Sequence, residues 1–327
     1  MVDFDSTEAP QRPEEQRPAE GLYRSLVEHA VQGWVIIHEG RVRFANPAFV
    51  ELSGYTVEEL LSFSPEQVQA MVHPQDRARV WETMTRRLTG EPAPARQEFR
   101  FLRKDGQVRW VETVARVMDY QGKPAVQVSY LDITDRRRAE LERQVMLEIM
   151  QGVALTPNLQ ALFPLIHHWI GQVIDARNFF VMLYDPASGQ FREVYTADER
   201  DAPAPPEKLE KSLASYVYRT GEPFVLDLTR FTELLARGEV ELVGSPCASW
   251  MGVPLKTPDR VIGVMVVQNY TEPDRYSERD REFFASVAAQ VALAIERRRA
   301  EEEHQRLQEQ FHQAQKMEAV GRLAGGV

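Results

Sequence analysis

The 327-residue sequence holds a single cysteine, Cys247, and no long apolar stretch. One thiol cannot close an internal disulfide, which excludes the small disulfide-stapled secreted folds and fits a reducing compartment. The longest apolar run, Val261 to Val267, is interrupted by Gly263 and falls far short of the ~18 residues a membrane span needs. No basic segment followed by an apolar core opens the chain, so no secretion signal is expected. Positive charge is also scarce: 39 Lys and Arg against 49 Asp and Glu leave a formal charge of -10. Nucleic acids and anionic membranes are held by clustered cations, so neither is expected as the main partner. These absences together imply a cytoplasmic protein.

Catalytic constellations are missing as well. GRLAGG, from Gly321 to Gly326, lacks the Lys-Ser/Thr end of a phosphate loop and follows no strand. No Cys and His spacing suggests zinc. His167 and His168 are adjacent, so on a helix they point about 100° apart and cannot chelate as an i, i+4 pair would. His73, in VHPQDR, is a lone histidine that specifies no metal. Cys247 reads as a partly buried, inert thiol. No catalytic, cofactor-binding or metal-binding residue is therefore expected.

What is present is a globular composition, 43% apolar and 27% charged, long enough for about two domains. Residues 1–20 carry Pro10, Pro13 and Pro18 among acidic residues and are expected to be disordered. Residues 21–135 open with a short helix from Leu22. A strand follows at Trp34–Ile37, then a turn at Glu39-Gly40 and a second strand through Val42 and Phe44. Asn46-Pro47 suits a helix start, and helices are expected over Ala48–Leu61 and Gln75–Leu88. Three strands follow, through Phe99 and Phe101, over Val108–Met118 and over Ala125–Leu131, with a hairpin turn at Asp105-Gly106. Trp34, Ile36, Phe44, Phe49, Phe99, Phe101 and Trp110 are expected to line the interior, as packed core or around a ligand cavity.

Residues 136–153 read as a helical connector, with Leu141, Val145 and Ile149 on one face. A second unit spans 154–298. Its expected elements are a helix over Leu159–Ile174, strands at Phe179–Tyr184 and Phe191–Thr196, a proline-rich loop over Ala202–Glu207 and a helix over Leu209–Arg219. Strands at Trp250–Leu255 and Val261–Gln268 and a long helix from Ser277 to Arg299 complete it. The whole pattern is α+β, antiparallel sheets with helices packed on them. Two basic clusters, Arg136 to Arg138 and Arg297 to Arg299, read as solvated helix faces, the second supported by Glu301 to Glu303 four residues on. In the last segment, 299–327, Leu307, Phe311, Ala314, Met317, Gly321 and Ala324 recur at spacings of three and four, the seam of a helix that pairs with a second copy.

Several stretches carry resemblances. FANPAFVELSGYTVEELL (Phe44 to Leu61), VHPQDR (Val72 to Arg77), RKDGQVRWVE (Arg103 to Glu112) and LDITDR (Leu131 to Arg136) resemble the PAS family in order and spacing. NFFVMLYDP (Asn178 to Pro186), SYVYRTGEPFVL (Ser215 to Leu226) and SWMGVPLKTPDRVIGVMVVQNY (Ser249 to Tyr270) resemble the GAF domains that follow PAS domains in bacterial sensor kinases. QKMEAVGRLAGGV, the final thirteen residues, is similar to the start of the dimerisation and phosphoacceptor helix of sensor histidine kinases. The resemblance implies two antiparallel-sheet sensory domains, PAS then GAF, joined and followed by connector and coiled-coil helices. It further implies that Asp132 and Thr134 tie the last PAS strand to the outgoing helix and pass a signal. The expected function is sensory input and dimerisation for a two-component sensor histidine kinase, as a homodimer. A small molecule would bind in the PAS or GAF domain, and a response regulator would be reached through a kinase half missing from this chain. His312 precedes the resembling stretch rather than following it, so no phosphoacceptor is expected here and the chain alone should be inactive. Light-sensing and haem readings find no support: the PAS segment has no flavin-bonding cysteine, Cys247 lacks the histidine that follows a bilin-linking cysteine, and His73 stands alone. The alternative is a complete, non-enzymatic PAS-GAF ligand-sensing adaptor.

Overall fold

The computed structural model describes residues 22, 25–156 and 158–324, with the backbone alone at 207, 208, 314 and 316–324. The expected disordered segment, 1–20, lies outside the described residues. The chain divides into two compact units, 1–139 and 140–327.

In the first unit, strands β1 (Gly33–His38) and β2 (Arg41–Ala45) form a hairpin through Glu39 and Gly40, both at positive φ. Asn46 then caps α1 (Pro47–Ser53) by accepting the Phe49 N–H. The same side chain, 1% exposed, accepts the Trp34 N–H at 2.7 Å and donates to the carbonyls of Val27 and Gln32. One expected helix over Ala48–Leu61 is in fact two. Gly54, at φ +75°, ends α1 in the left-handed conformation that glycine adopts without a Cβ penalty. Thr56 and Glu59 then form a reciprocal capping box that starts α2 (Val57–Ser62). A second such box, Ser64 with Gln67, starts α3 (Pro65–Ala70), and His73 precedes α4 (Pro74–Leu88). Strands β3 (Arg96–Leu102), β4 (Val108–Tyr120) and β5 (Lys123–Asp132) complete an antiparallel sheet of order β2-β1-β5-β4-β3.

The interior differs from the expected lining. Val35 and Ile37, 1% and 5% exposed, point inward, whereas Trp34 and Ile36 are half-buried on the opposite face. Ile36 pairs directly with Phe44, so the two share that outer face, and Phe44 is 37% exposed. Trp110 is also only half-buried. Phe49, Phe99 and Phe101 are inside as expected, interlocked with Tyr130 at ring separations of 4.9, 6.3 and 6.0 Å.

Helix α5 (Thr134–Leu155) contains the boundary between the units. The second unit continues with α6 (Leu159–Ile170), β6 (Asn178–Asp185) and β7 (Gln190–Ala197). Next come α7 (Pro206–Leu209), α8 (Leu213–Thr220), β8 (Phe224–Val225) and α9 (Leu228–Ala236). Strands β9 (Ser249–Lys256) and β10 (Val261–Asn269) lead to α10, a single helix from Glu278 to Ala324. The sheet order is β7-β6-β10-β9-β8, antiparallel throughout. Renumbered from its own first strand, it repeats the first sheet's order.

Both faces of this sheet are covered, which explains why β9 and β10 read as continuous apolar runs instead of alternating. Met251, Val253, Met265 and Val267 meet α5, α6 and α10 through Ile149, Phe163, Phe284 and Val287. Met182, Trp250, Val264 and Val266 face Leu209, Val217 and Leu234 on the other side. Gly263 permits the closest strand approach, since a Cβ there would stand 2.3 Å from the Met182 carbonyl oxygen. Four local expectations shift. Helix α6 ends at Ile170, with Gly171 as its C-cap, rather than at Ile174. Ser212 caps α8, so that helix begins at Leu213, not Leu209. The proline-rich loop contains α7, for which Pro206 supplies the first helical residue. Helix α9, capped by Asp227, stands where no helix was expected. Among the described residues no helix is long and apolar enough to cross a membrane.

Candidate functional site

The end of the first sheet and the start of α5 are joined by hydrogen bonds. The Trp110 N–H of β4 donates to Thr134 Oγ1 at 2.9 Å, and the Ile133 N–H donates to the Trp110 carbonyl at 2.9 Å. Asp132 Oδ1 accepts the Thr134 N–H at 2.8 Å, satisfying one of the orphan donors at the helix start. The structure thus brings Asp132 and Thr134 together at one strand-to-helix corner. The neighbouring Arg136 and Arg137 are exposed, as expected of a solvated face, and also reach across to the sheet. Arg136 bonds Glu98 of β3 at 2.9 Å, and Arg137 pairs with the same carboxylate. The Arg137 guanidinium also lies 4.8 Å from the Trp110 ring centroid, a cation–π distance. Glu98 precedes these arginines by more than a whole strand pair, so no local spacing pointed to it. Of the second cluster, Arg297 pairs with Glu301 at 2.9 Å in the expected i, i+4 manner.

The second unit contains a cavity of about 230 Å³ between the sheet, the α7–α8 segment, α9 and the loop 241–247. Phe180, Leu213, Phe231 and Trp250 supply apolar wall, and Glu193, Asp198, Asp201 and Gln268 supply polar lining. No Lys, Arg or His is among its described lining residues. Glu193 accepts hydrogen bonds from Thr196 Oγ1 at 2.8 Å and from the Ala204 N–H at 3.3 Å. Burial pushes its proton affinity above the ordinary carboxylate range, and the Asp198 and Asp201 charges add to this. Asp198 is also pushed up by burial, but four donors outweigh it: the N–H groups of Arg200 and Asp201, the Tyr270 hydroxyl and the Gln268 amide. Its carboxyl is therefore held below the usual range. Asp201 accepts from Ser245 through both N–H and Oγ, at 2.8 and 2.7 Å, and pins the loop that closes the cavity. Cys247 lines the same space, and burial pushes its thiol up to about 11. Inside the first unit's core the void is far smaller, about 40 Å³, among Val72, Phe101 and Tyr130, while a more open groove of about 720 Å³ lies on its outer face beside Trp34, Ile36 and Phe44.

None of the cavity carboxylates was singled out from the sequence. The only local signal is the acidic cluster Asp198, Glu199, Asp201 beside a proline-rich loop; their partners Ser245, Gln268 and Tyr270 lie 44 to 72 residues away. His167 is a packing residue. Its ring nitrogens lie 2.9 Å from the Tyr195 hydroxyl and 2.6 Å from the Ala176 carbonyl, while His168 is exposed. His73 serves as N-cap of α4, and Asp76 pairs with Arg100 at 2.9 Å. Among the described residues no three His, Cys, Asp or Glu side chains are grouped to hold a metal. On α10, Leu307 and Phe311 are 54% and 62% exposed. The side chains of Ala314, Met317 and Ala324, and the surroundings of Gly321, lie outside the described residues.

Comparison with known families decides what the two units are. Residues 42–130 match the family described as the PAS fold, and residues 156–296 match the GAF domain. The chain carries a PAS fold followed by a GAF domain. A sensor histidine kinase, TmoS of Ectopseudomonas mendocina, is 28% identical over 162 residues, which is 48% of this chain and 16% of that protein. The chain therefore spans about a sixth of the curated relative it matches. Among solved structures, the GAF domain of an Acinetobacter phosphoenolpyruvate-protein phosphotransferase is 20% identical, with TM-score 0.40, over 50% of this chain and 95% of its own. A sensory box histidine kinase/response regulator from Burkholderia thailandensis is 27% identical, with TM-score 0.31, over 38% of this chain and 95% of its own.

Proposed function

We propose that this PAS-GAF chain is the sensory and dimerising input module of a two-component sensor histidine kinase, and that the GAF cavity is where a small molecule is sensed. The observation that carries the reading is the direct bond between sheet and outgoing helix, Trp110 N–H to Thr134 Oγ1, at the end of the PAS sheet. A change in strand geometry at β4 acts on the first turn of α5 through that bond, with no intervening loop to absorb it. The likeness to a sensor histidine kinase supplies the class of output. In the GAF domain, Glu142 of α5 holds Arg279 of α10 through two bonds, 3.0 and 3.2 Å, so incoming and outgoing helices are paired beside its sheet. The exposed Leu307 and Phe311, one turn apart on α10, are the described part of a seam for a second copy. A homodimer would align two such helices and address a response regulator through a kinase half.

The test is autophosphorylation of the full gene product with labelled ATP, comparing wild type with Thr134→Val. Label on histidine, and a changed rate in the variant with unchanged ATP affinity, would support the reading. A gene product of 37.5 kDa that takes up no label would refute the kinase assignment and favour a stand-alone sensory adaptor.

A further inference from the structure

The GAF cavity has a chemical bias that narrows its ligand, and the inference drawn from it rests on the sensory reading above. Four carboxylates line it: Glu241 pairs with Lys211 at 3.1 Å, and of the other three, Glu193, Asp198 and Asp201, the last two share the Tyr270 hydroxyl at 2.7 and 3.2 Å. Among the described residues none of the three forms a salt bridge, and no cation lines the space. Among the described residues Glu193 has partners for two of its roughly four acceptor positions. A low-dielectric pocket lined by one sign of charge attracts the opposite sign and repels its own. An anionic ligand, such as a nucleotide or an organic acid, meets repulsion there and finds no Arg or Lys among the described lining residues to hold it. A bare metal ion meets too few converging oxygens, consistent with the lack of any metal-holding group among the described residues. An ammonium group supplies both the missing charge and donors for the free acceptor positions.

Size and wall chemistry add the rest. A dry cavity of about 150 Å³ accommodates benzene, so about 230 Å³ leaves room for one ring and a short side chain. Phe180, Leu213, Phe231 and Trp250 offer that ring apolar and aromatic surface. We propose that the GAF cavity binds a small monoamine with one aromatic or similarly compact apolar body, its ammonium group bonded to Glu193 within the field of Asp198 and Asp201. The arrangement distinguishes amines from acids by charge and from alcohols by the number of donors. Cys247, in the wall, sits where an occupant shields it.

The test is calorimetric titration of the 327-residue chain with 2-phenylethylamine, 2-phenylethanol and 3-phenylpropanoate as the actual probes. The amine should saturate one site per chain with Kd between about 10 µM and 1 mM, reasonable for nine heavy atoms. The alcohol should bind at least about tenfold more weakly and the acid not at all. Bound amine should slow alkylation of Cys247, which locates the site. Glu193→Gln keeps the shape and an acceptor for the Ala204 N–H, and should weaken the amine by about tenfold or more while leaving the alcohol unchanged. Equal or tighter binding of the acid or the alcohol would overturn the amine assignment while leaving a sensory cavity in place. Absence of amine binding at millimolar concentration would also overturn it, as would an unchanged amine affinity in Glu193→Gln. Because the probe series uses the wild-type chain, a variant that fails to fold does not remove the test. Failure of the kinase reading is separately visible, as absence of label on the full gene product.

Discussion

Replacing Thr134 by valine removes one oxygen and keeps the branched shape, so its consequence isolates the bond between β4 and α5. That oxygen accepts the Trp110 N–H at 2.9 Å and makes a 3.5 Å contact back to the Trp110 carbonyl. The longer contact sits at the outer limit of hydrogen-bond geometry and contributes little. The Trp110 carbonyl also keeps the Ile133 N–H at 2.9 Å, so only the Trp110 N–H is orphaned. Leaving a partly buried donor without a partner costs about 1–2 kcal/mol. Both residues are β-branched, so side-chain freedom in the helix hardly changes. For a unit of this size the loss corresponds to a drop of roughly 3–10 °C in the unfolding temperature of the PAS domain. Calorimetry of the chain reads that shift, and hydrogen exchange reads the Trp110 amide, which should lose protection selectively. Asp132→Asn keeps an acceptor for the Thr134 N–H, and the exposed Arg109–Asp132 pair is 3.9 Å long, so it should cost less than about 1 kcal/mol. An unchanged Trp110 amide in Thr134→Val, or an Asp132→Asn loss as large as that of Thr134→Val, would refute the account of the corner.

Asp175, whose side chain is 7% exposed, binds Arg177 at 2.8 Å, Asn269 at 2.9 Å and Arg275 at 3.4 Å. Its replacement by alanine orphans the buried Asn269 amide and frees two half-exposed arginines, for a loss of about 2–4 kcal/mol in the GAF transition measured by urea unfolding. The Arg177 hydrogen bond, with help from Asn269 and against the cost of burial, holds the Asp175 carboxyl well below its ordinary range. Its stabilisation is therefore fully present above the unfolded value near ~3.9 and lost as pH falls below it; Asp175→Ala should flatten that acid limb, and an unchanged limb would count against the assignment. Gly263→Ala places a Cβ 2.3 Å from a backbone oxygen of the paired strand, a clash that only separation of β6 from β10 relieves; an unaltered GAF transition would contradict the packing described. Burial holds the Cys247 thiol near 11, so alkylation at pH 8 should run about tenfold or more slower than for a free cysteine, and rise steadily to pH 10.

Local chemistry was legible wherever a single residue type sets a conformation. Asn46-Pro47 reads as a helix start because a short side-chain acceptor and a missing N–H both suit it, and the Glu39-Gly40 turn follows the same kind of rule. The facing of β1 was not legible. Trp34-Val35-Ile36-Ile37 is apolar at every position, so the two-residue period that assigns faces carries no contrast, and the inward pair turned out to be Val35 and Ile37. A break inside Ala48–Leu61 was present in the letters: Gly54 followed by Thr56 and Glu59 is a stop and a capping box, outweighed by the apolar spacing across them. Glu98 with Arg136 and Arg137, and Asp201 with Ser245, are tertiary pairs between distant segments, and a single sequence holds no signal that joins them. The cavity belongs to that second kind, since its volume arises from what loops fail to fill.

The two sheets have the same strand order and differ in how their crossovers are filled. In the PAS domain the segment between β2 and β3 sends Phe49, Leu60, Phe63 and Met71 onto the sheet, and the remaining void of about 40 Å³ is below the size of an organic ligand. In the GAF domain the segments after β7 and β8 bring Asp198, Asp201 and Ser245 over the sheet, and satisfied polar pairs cannot collapse into it as aromatic rings do. That side stays open at about 230 Å³. The opposite face of the same strands is fully packed, and because side chains alternate along a strand, neighbours in sequence serve the two faces. Trp250 lines the cavity while Met251 beside it is buried with Phe284 and Val287 of α10. Under the proposed sensing role, a displacement of Trp250 by a ligand would reach the helix that carries Leu307 and Phe311 through one backbone residue, because the close packing beneath leaves little free volume to absorb it.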